Sequence, residues 1–165
     1  RPGRGTGGRN GQHGVTPGGA REGCRSFRRR YRVQWGNGVG YLRLALRHGL
    51  SIVPVAAAGA DDAYIGLNDA EPLGRRLGLP PDWTWVPWLG LGPLGPYPLS
   101  PPFPVRMRQL IGEPIALRSD GAVALDDRPA LLRLHARVQG AVQGLLDRAR
   151  GATPSEHEGG IRGAA

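Results

Sequence analysis

No lysine occurs in this chain of 165 residues; all 22 of its basic side chains are arginine. There is a single cysteine, Cys24, and only two phenylalanines and one methionine. One thiol excludes an internal disulfide and any cysteine-based zinc site. No apolar run approaches the ~18 residues of a membrane-spanning helix. The longest candidate, Trp83 to Phe103, is interrupted by proline throughout. Several catalytic signatures are missing too. There is no Gly-x-Ser-x-Gly elbow, no phosphate loop ending in Gly-Lys-Ser/Thr and no His-Glu-x-x-His. The four histidines, His13, His48, His135 and His157, lie far apart without metal-ligand spacing, so no metal site is expected. His135 falls in a long helical pattern and is expected at the surface. Cys24 has no histidine placed beside it, and reads as a small buried or half-buried thiol.

What is present is uneven. Gly (28) and Pro (16) are abundant, yet 39% of residues are apolar, enough for a partial core. The net charge of +9 sits almost entirely at one end. Residues 1–50 hold 11 Arg and one acid, Glu22, a balance of +10; residues 51–165 hold 11 Arg and 12 acids, a balance of −1. A GC-rich genome accounts for arginine in place of lysine, but not for the missing acids. That asymmetry suggests an anionic partner: nucleic acid, lipid headgroup or phosphorylated substrate.

Along the chain, residues 1–14 are glycine-rich without apolar periodicity and read as an irregular or disordered leader. Val39, Leu42 and Leu46 then fall at helical spacing, and Gly49 supplies a stop. Ser51 to Ala57 is short, apolar and β-branched, a buried strand in which Pro54 marks an edge, a bulge or the end. Asp61 and Asp62 are expected to cap a helical turn containing Tyr64 and Leu67. Residues 86–104, with seven Pro and three Gly, read as a long extended connection. Val105 to Ile111 reads as a second strand. Asp126, Asp127 and Pro129 start a helix whose apolar stripe is Leu131, Leu134, Val138, Val142, Leu145 and Ala149. Residues 151–165 read as a disordered tail. The order predicts an α/β domain over 15–150, with a long Pro-rich loop and a C-terminal amphipathic helix. Two strands are few for a closed core and the first residue is not methionine, so the reading is the C-terminal portion of a larger domain.

The informative stretch is Pro17-Gly18-Gly19-Ala20-Arg21-Glu22. Proline before two glycines makes a tight turn, with an arginine and a glutamate beside it. It is followed by Gly40-Tyr41-Leu42-Arg43-Leu44-Ala45-Leu46, by His48-Gly49, by Ile52-Val53-Pro54-Val55 and by Gly59-Ala60-Asp61-Asp62-Ala63-Tyr64. This ordered series resembles the glycerolipid and lysophospholipid acyltransferase family, in its Pro-Gly-Gly-Ala-x-Glu, diacylglycerol-acyltransferase-like branch. The resemblance runs through Ile111-Gly112-Glu113-Pro114-Ile115 and covers roughly residues 15–150.

The resemblance implies a partial acyltransferase-type α/β domain. It implies that Gly18, Gly19, Arg21 and Glu22 contact the acceptor's polar or phosphate end, and that Val53 and Pro54 shape an acyl or acceptor pocket. It implies no bound cofactor, acyl-CoA or acyl-carrier protein as donor, and a lipid acceptor. It also implies a peripheral position on the cytoplasmic side of an anionic membrane, with Arg28, Arg29 and Arg30 facing headgroups. The Trp-rich connection at 83–103 either dips into that interface or packs on its own core. The family's catalytic His-x-x-x-x-Asp lies upstream of the Pro-Gly-Gly block. Only 16 residues precede Pro17 here, and His13 has Gly18 five positions on. No catalytic residue is therefore assigned, and this chain alone is expected not to transfer acyl groups. The competing readings are an Arg/Gly-rich nucleic-acid binder using residues 3–9 and Arg28 to Arg32, and a non-catalytic remnant.

Overall fold

A computed structural model describes residues 14–117 and 123–151, apart from the side chains of Ala20 and Arg21. Expectations for the leader to residue 13, for the Arg-Gly run at 3–9 and for the tail after 151 lie outside the described residues. Four helices run α1 (Ala20–Gly23), α2 (Gly40–His48), α3 (Ala70–Arg76) and α4 (Arg128–Gly151). Five short strands run β1 (Val55–Ala58), β2 (Ile65–Gly66), β3 (Gly90–Gly92), β4 (Gly95–Pro96) and β5 (Arg108–Ile111). The mixed α/β class holds, with small antiparallel sheets in place of a parallel one.

The long helix organises the rest. Asp127 accepts the Ala130 amide at 3.0 Å through Oδ1, satisfying an orphan donor at the start of α4. Its 24 residues span about 36 Å. The first half of the stripe, Leu131, Leu134 and Val138, packs on Val39, Leu42, Ala45 and Leu46 around α2. The second half, Leu145, Leu146 and Ala149, packs on Ala56, Ala58 and Tyr31. Small alanines at 56 and 58 let the helix lie close to the sheet. α2 ends at Gly49 as the spacing predicts, with the Leu50 amide returning to the Ala45 carbonyl at 2.8 Å.

β1 pairs antiparallel with β5, Val55 opposite Ile111 and Ala58 opposite Arg108, and Ile52 bridges Ile115 further out. Pro54 stands just before β1, where its missing N–H costs nothing and its carbonyl takes the Gly112 amide at 2.8 Å.

Three expectations are corrected. Asp61 and Asp62 do not cap a helical turn; they lie inside a tight 3-10 turn, Ala60–Asp62, and send their carboxylates across to residues 25–31. Residues 86–104 are not simply extended: β3 and β4 form a hairpin there, and β2 adds to β3 to make a three-stranded sheet. His135 is buried, with 5% of its surface exposed. It sits four residues after Leu131 and three before Val138, inside the apolar stripe. Its ring packs against Trp35 and Tyr41, and its Nδ1 lies 3.0 Å from the Tyr41 hydroxyl.

Candidate functional site

The site grows from the glycine turn. Pro17 to Gly19 form a turn closed by the Gly19 amide on the Thr16 carbonyl at 3.2 Å. Gly19 has φ +52°, a conformation that costs a side-chain-bearing residue energy, and α1 starts immediately after it. One turn on, Glu22 folds back over Gly18, where an added Cβ would collide with its side chain. Glu22 accepts the Gln34 amide at 3.1 Å through Oε1. The Arg21 side chain lies outside the described residues.

Beyond Cys24 the chain enters the arginine-rich stretch, and three distant aspartates hold it down. Arg25 sends Nη2 to both carboxylate oxygens of Asp61 at 2.6 Å, in a pair whose side chains are only 10% and 17% exposed. Its Nη1 donates to the Arg32 carbonyl. Asp61 also accepts the Tyr31 amide at 2.7 Å. Asp62 accepts the Tyr31 hydroxyl and pairs with Arg30 at 3.5 Å. Asp69 accepts the Ser26 amide at 2.8 Å and pairs with Arg29 at 3.3 Å. Arg30 additionally lies over the Phe27 ring, 3.7 Å from its centroid.

Tyr31 is the residue these bonds constrain most. It is a buried aromatic at φ +60°, a backbone conformation that persists only where its surroundings dictate it. α4 completes the clamp: the Gln143 side-chain amide accepts the Val33 amide at 2.8 Å and donates to the Tyr31 carbonyl at 3.1 Å. Gln139 donates to the Val33 carbonyl at 3.0 Å. Burial, and then the bond to Asp62, push the Tyr31 phenol up to about 12. Burial raises the Cys24 thiol as well.

These elements enclose a cavity of about 320 Å³. Glu22, Arg25, Arg30 and Asp61 form its charged wall; Ala56, Val142 and Leu146 are among its apolar lining, with Phe27 and Trp88 at its sides. Arg25 Nε is buried without a hydrogen-bond partner. Gly66 also lines the cavity, against the Arg25 carbonyl, and Trp88 Nε1 donates to that same carbonyl at 3.2 Å. The lining combines paired charges with apolar side chains.

Of the residues singled out from the sequence, Glu22 and Arg30 reach this cavity. Gly18 and Gly19 shape the turn behind Glu22 without lining it. Val53 is exposed and Pro54 buried beside the sheet, and neither is part of the lining. Arg28 is exposed, whereas the charges of Arg29 and Arg30 are met by aspartates. Gln143 is not singled out by the sequence and Asp61 reads only as a helix cap, because nothing in local spacing announces partners 36 or 112 residues away. The one available signal was the cluster of acids at 61–71, opposite in sign to 25–32. Among the described residues no group of His, Cys, Asp or Glu is placed to hold a metal, and no helix is long and apolar enough to cross a membrane.

The chain is similar to proteins of Mycobacterium bovis and Mycobacterium tuberculosis, each described only as uncharacterized. Identity is 36% over 124 residues, covering 74% of this chain and 33% of each relative. A Mycobacterium leprae protein is 35% identical over the same length. The chain thus spans about a third of the length of the curated relatives it matches. No family model matches it, and no solved structure does.

Proposed function

We propose that this chain forms the acceptor-side portion of a glycerolipid-type O-acyltransferase. The whole enzyme moves a fatty acyl group from a thioester, acyl-CoA or acyl-carrier protein, to the hydroxyl of a lipid acceptor at the cytoplasmic face of a membrane. The observation that carries this reading is the cavity beside the Pro-Gly-Gly turn. Its lining offers charged side chains for the acceptor's headgroup and apolar ones for its chain, and it includes Glu22 of the motif.

The chemistry divides accordingly. Acyl transfer needs a base to take the proton of the attacking hydroxyl. No histidine lines the cavity, and the His-x-x-x-x-Asp pair is absent from the chain. The role of these residues is binding and orientation. Arg30 in the lining holds the anionic or hydroxyl end, while Ala56, Val142 and Leu146 exclude water from the first carbons of the chain. Holding the acceptor this way converts a bimolecular encounter into a positioned one.

The test uses the purified chain with a short-chain lysophosphatidate or monoacylglycerol. Calorimetry is expected to show saturable binding that Arg30→Gln weakens, with no release of thiol from acyl-CoA. Absence of binding overturns the acceptor-side role; acceptor acylation by the chain alone overturns the division of labour.

A further inference from the structure

The three-stranded sheet carries at its end a feature that the cavity does not use. β3 and β4 are joined through Pro93 and Leu94, and the chain leaves β4 through a turn over Tyr97 to Leu99. Leu94 is 80% exposed and Leu99 85%. These are not side chains on a slack loop. The Leu94 amide donates to Ser100 Oγ at 3.0 Å, and that hydroxyl donates to the Pro101 carbonyl at 3.1 Å. The Leu99 amide donates to the Pro96 carbonyl at 2.9 Å, and the Tyr97 amide to the Gly90 carbonyl at 2.8 Å. Ser100 is itself buried, at 3% exposure. One buried hydroxyl therefore fastens the two leucine-bearing turns to each other. Beneath them Tyr64, Trp88 and Tyr97 pack ring against ring, with centroids 5.5 to 6.1 Å apart.

We propose that this tip is a membrane anchor, with Leu94 and Leu99 entering the boundary between headgroups and acyl chains and Tyr97 resting at headgroup level. Three observations select a bilayer over a protein partner. First, the ordered backbone holds two leucines in water at a fixed separation, and apolar surface held out this way gains by leaving water. Second, no acid occurs from Trp83 to Gly112, whereas Arg106 is exposed further along the same stretch, so nothing here repels an anionic headgroup. Third, the tip is small. A specific protein interface takes on the order of 800 Å² from each side, and β4, two residues long, is too short to template an added strand. Bilayer insertion needs neither a complementary protein surface nor strand pairing. Tyr97, 46% exposed, has the apolar body and polar end that favour the interface.

The anchor also extends the membrane contact in the proposed function, although it stands without acyl transfer. Arg29 and Arg30 are paired with Asp69 and Asp62, so apolar insertion at the tip adds a contact that does not depend on that arginine cluster.

The test is flotation of the full chain with vesicles of equal parts phosphatidylcholine and phosphatidylglycerol. The wild type is expected to float. Leu94→Ser with Leu99→Ser is expected to lower partitioning roughly tenfold or more, with an unchanged melting midpoint because both side chains face water. Salt sufficient to cut the Debye length to about 3 Å is expected to leave most of the binding in place. Three results overturn the proposal: no flotation of the wild type, equal flotation of the double variant, or a wild-type dimer that the double variant converts to monomer. Binding of a soluble short-chain acceptor is read in parallel. Its persistence in the double variant separates failure of the anchor from failure of the cavity.

Discussion

Replacing Asp61 with asparagine tests the central claim about this fold, that distant carboxylates hold the arginine-rich stretch in place. Asp61 accepts two contacts from Arg25 Nη2 at 2.6 Å and the Tyr31 amide at 2.7 Å. Both members of the pair are largely out of water, at 10% and 17% exposure. The discount that applies to exposed ion pairs does not apply here. Removing one partner of a buried pair costs about 3–5 kcal/mol, because the remaining charge stays buried without compensation. The asparagine oxygen still accepts the Tyr31 amide, a bond worth about 1 kcal/mol, so about 3 kcal/mol is the expected loss. Asp61→Ala gives up that bond too and is expected to lose about 1 kcal/mol more. Against a total stability of about 5–15 kcal/mol for a folded domain, either change moves a guanidinium midpoint plainly. The assay is equilibrium denaturation followed by tryptophan fluorescence. Arg25→Met with Asp61→Asn removes the stranded charge and is expected to recover about 2 kcal/mol of the loss. An Asp61→Asn variant within about 0.5 kcal/mol of wild type, or strictly additive single and double variants, would falsify the reasoning.

Three further outcomes follow from the same geometry. Tyr31 and Tyr41 both ionise near 12 in the folded chain, against 10.0 for the free phenol, burial being the leading cause for each. Folded-state values raised in this way add stability that is complete below pH 10 and is lost as the pH climbs toward 12. An alkaline titration of the melting midpoint is expected to fall through that window, and a flat profile contradicts the burial of these two rings. Gly66→Ala drives a methyl group into the Arg25 carbonyl, which is backbone and cannot swing aside. It is expected to lower the melting temperature and to weaken acceptor binding together, and an unaltered variant argues against the close approach. Burial raises the Cys24 thiol. Its alkylation by iodoacetamide at pH 8 is therefore expected to be slower than that of free cysteine and to accelerate in denaturant; equal rates count against a half-buried position.

Elements built on local periodicity were legible in the chain. The α4 stripe from Leu131 to Ala149, the Asp127 cap and the Gly49 stop all depend on neighbours within four residues, and all stand where the spacing puts them. What failed depends on distance. Asp61 and Asp62 look locally like caps, but the tertiary fold brings Arg25, Arg30 and Tyr31 to their carboxylates, and those partners outcompete a helix start. The β3–β4 hairpin is hidden because its strands are two and three residues long and rich in glycine and proline. α3 is hidden for a similar reason: seven residues interrupted by Pro72 and Gly74 show no apolar stripe. His135 is the instructive case. It is expected at the surface yet lies buried between Leu131 and Val138, where Trp35 and Tyr41 pack on its ring and the Tyr41 hydroxyl meets Nδ1, while Nε2 has no hydrogen-bond partner.

Distance in the chain also decides what the charge distribution means. Read along the chain, a balance of +10 in residues 1–50 stands apart from −1 in the remainder and points outward to an anionic partner. Folding brings part of the two regions together. Asp61, Asp62 and Asp69 fall opposite Arg25, Arg30 and Arg29; the Arg25 pair is interior, while the other two pairs stand at the surface. Part of that cluster is thus tied to distant carboxylates, and Arg25, Arg30 and Asp61 among them line a cavity. Arg25 gives both terminal nitrogens to Asp61 and the Arg32 carbonyl in the interior, whereas Arg30 pairs with Asp62 nearer the surface. Binding and stability are therefore expected to be separable at Arg30 and inseparable at Arg25.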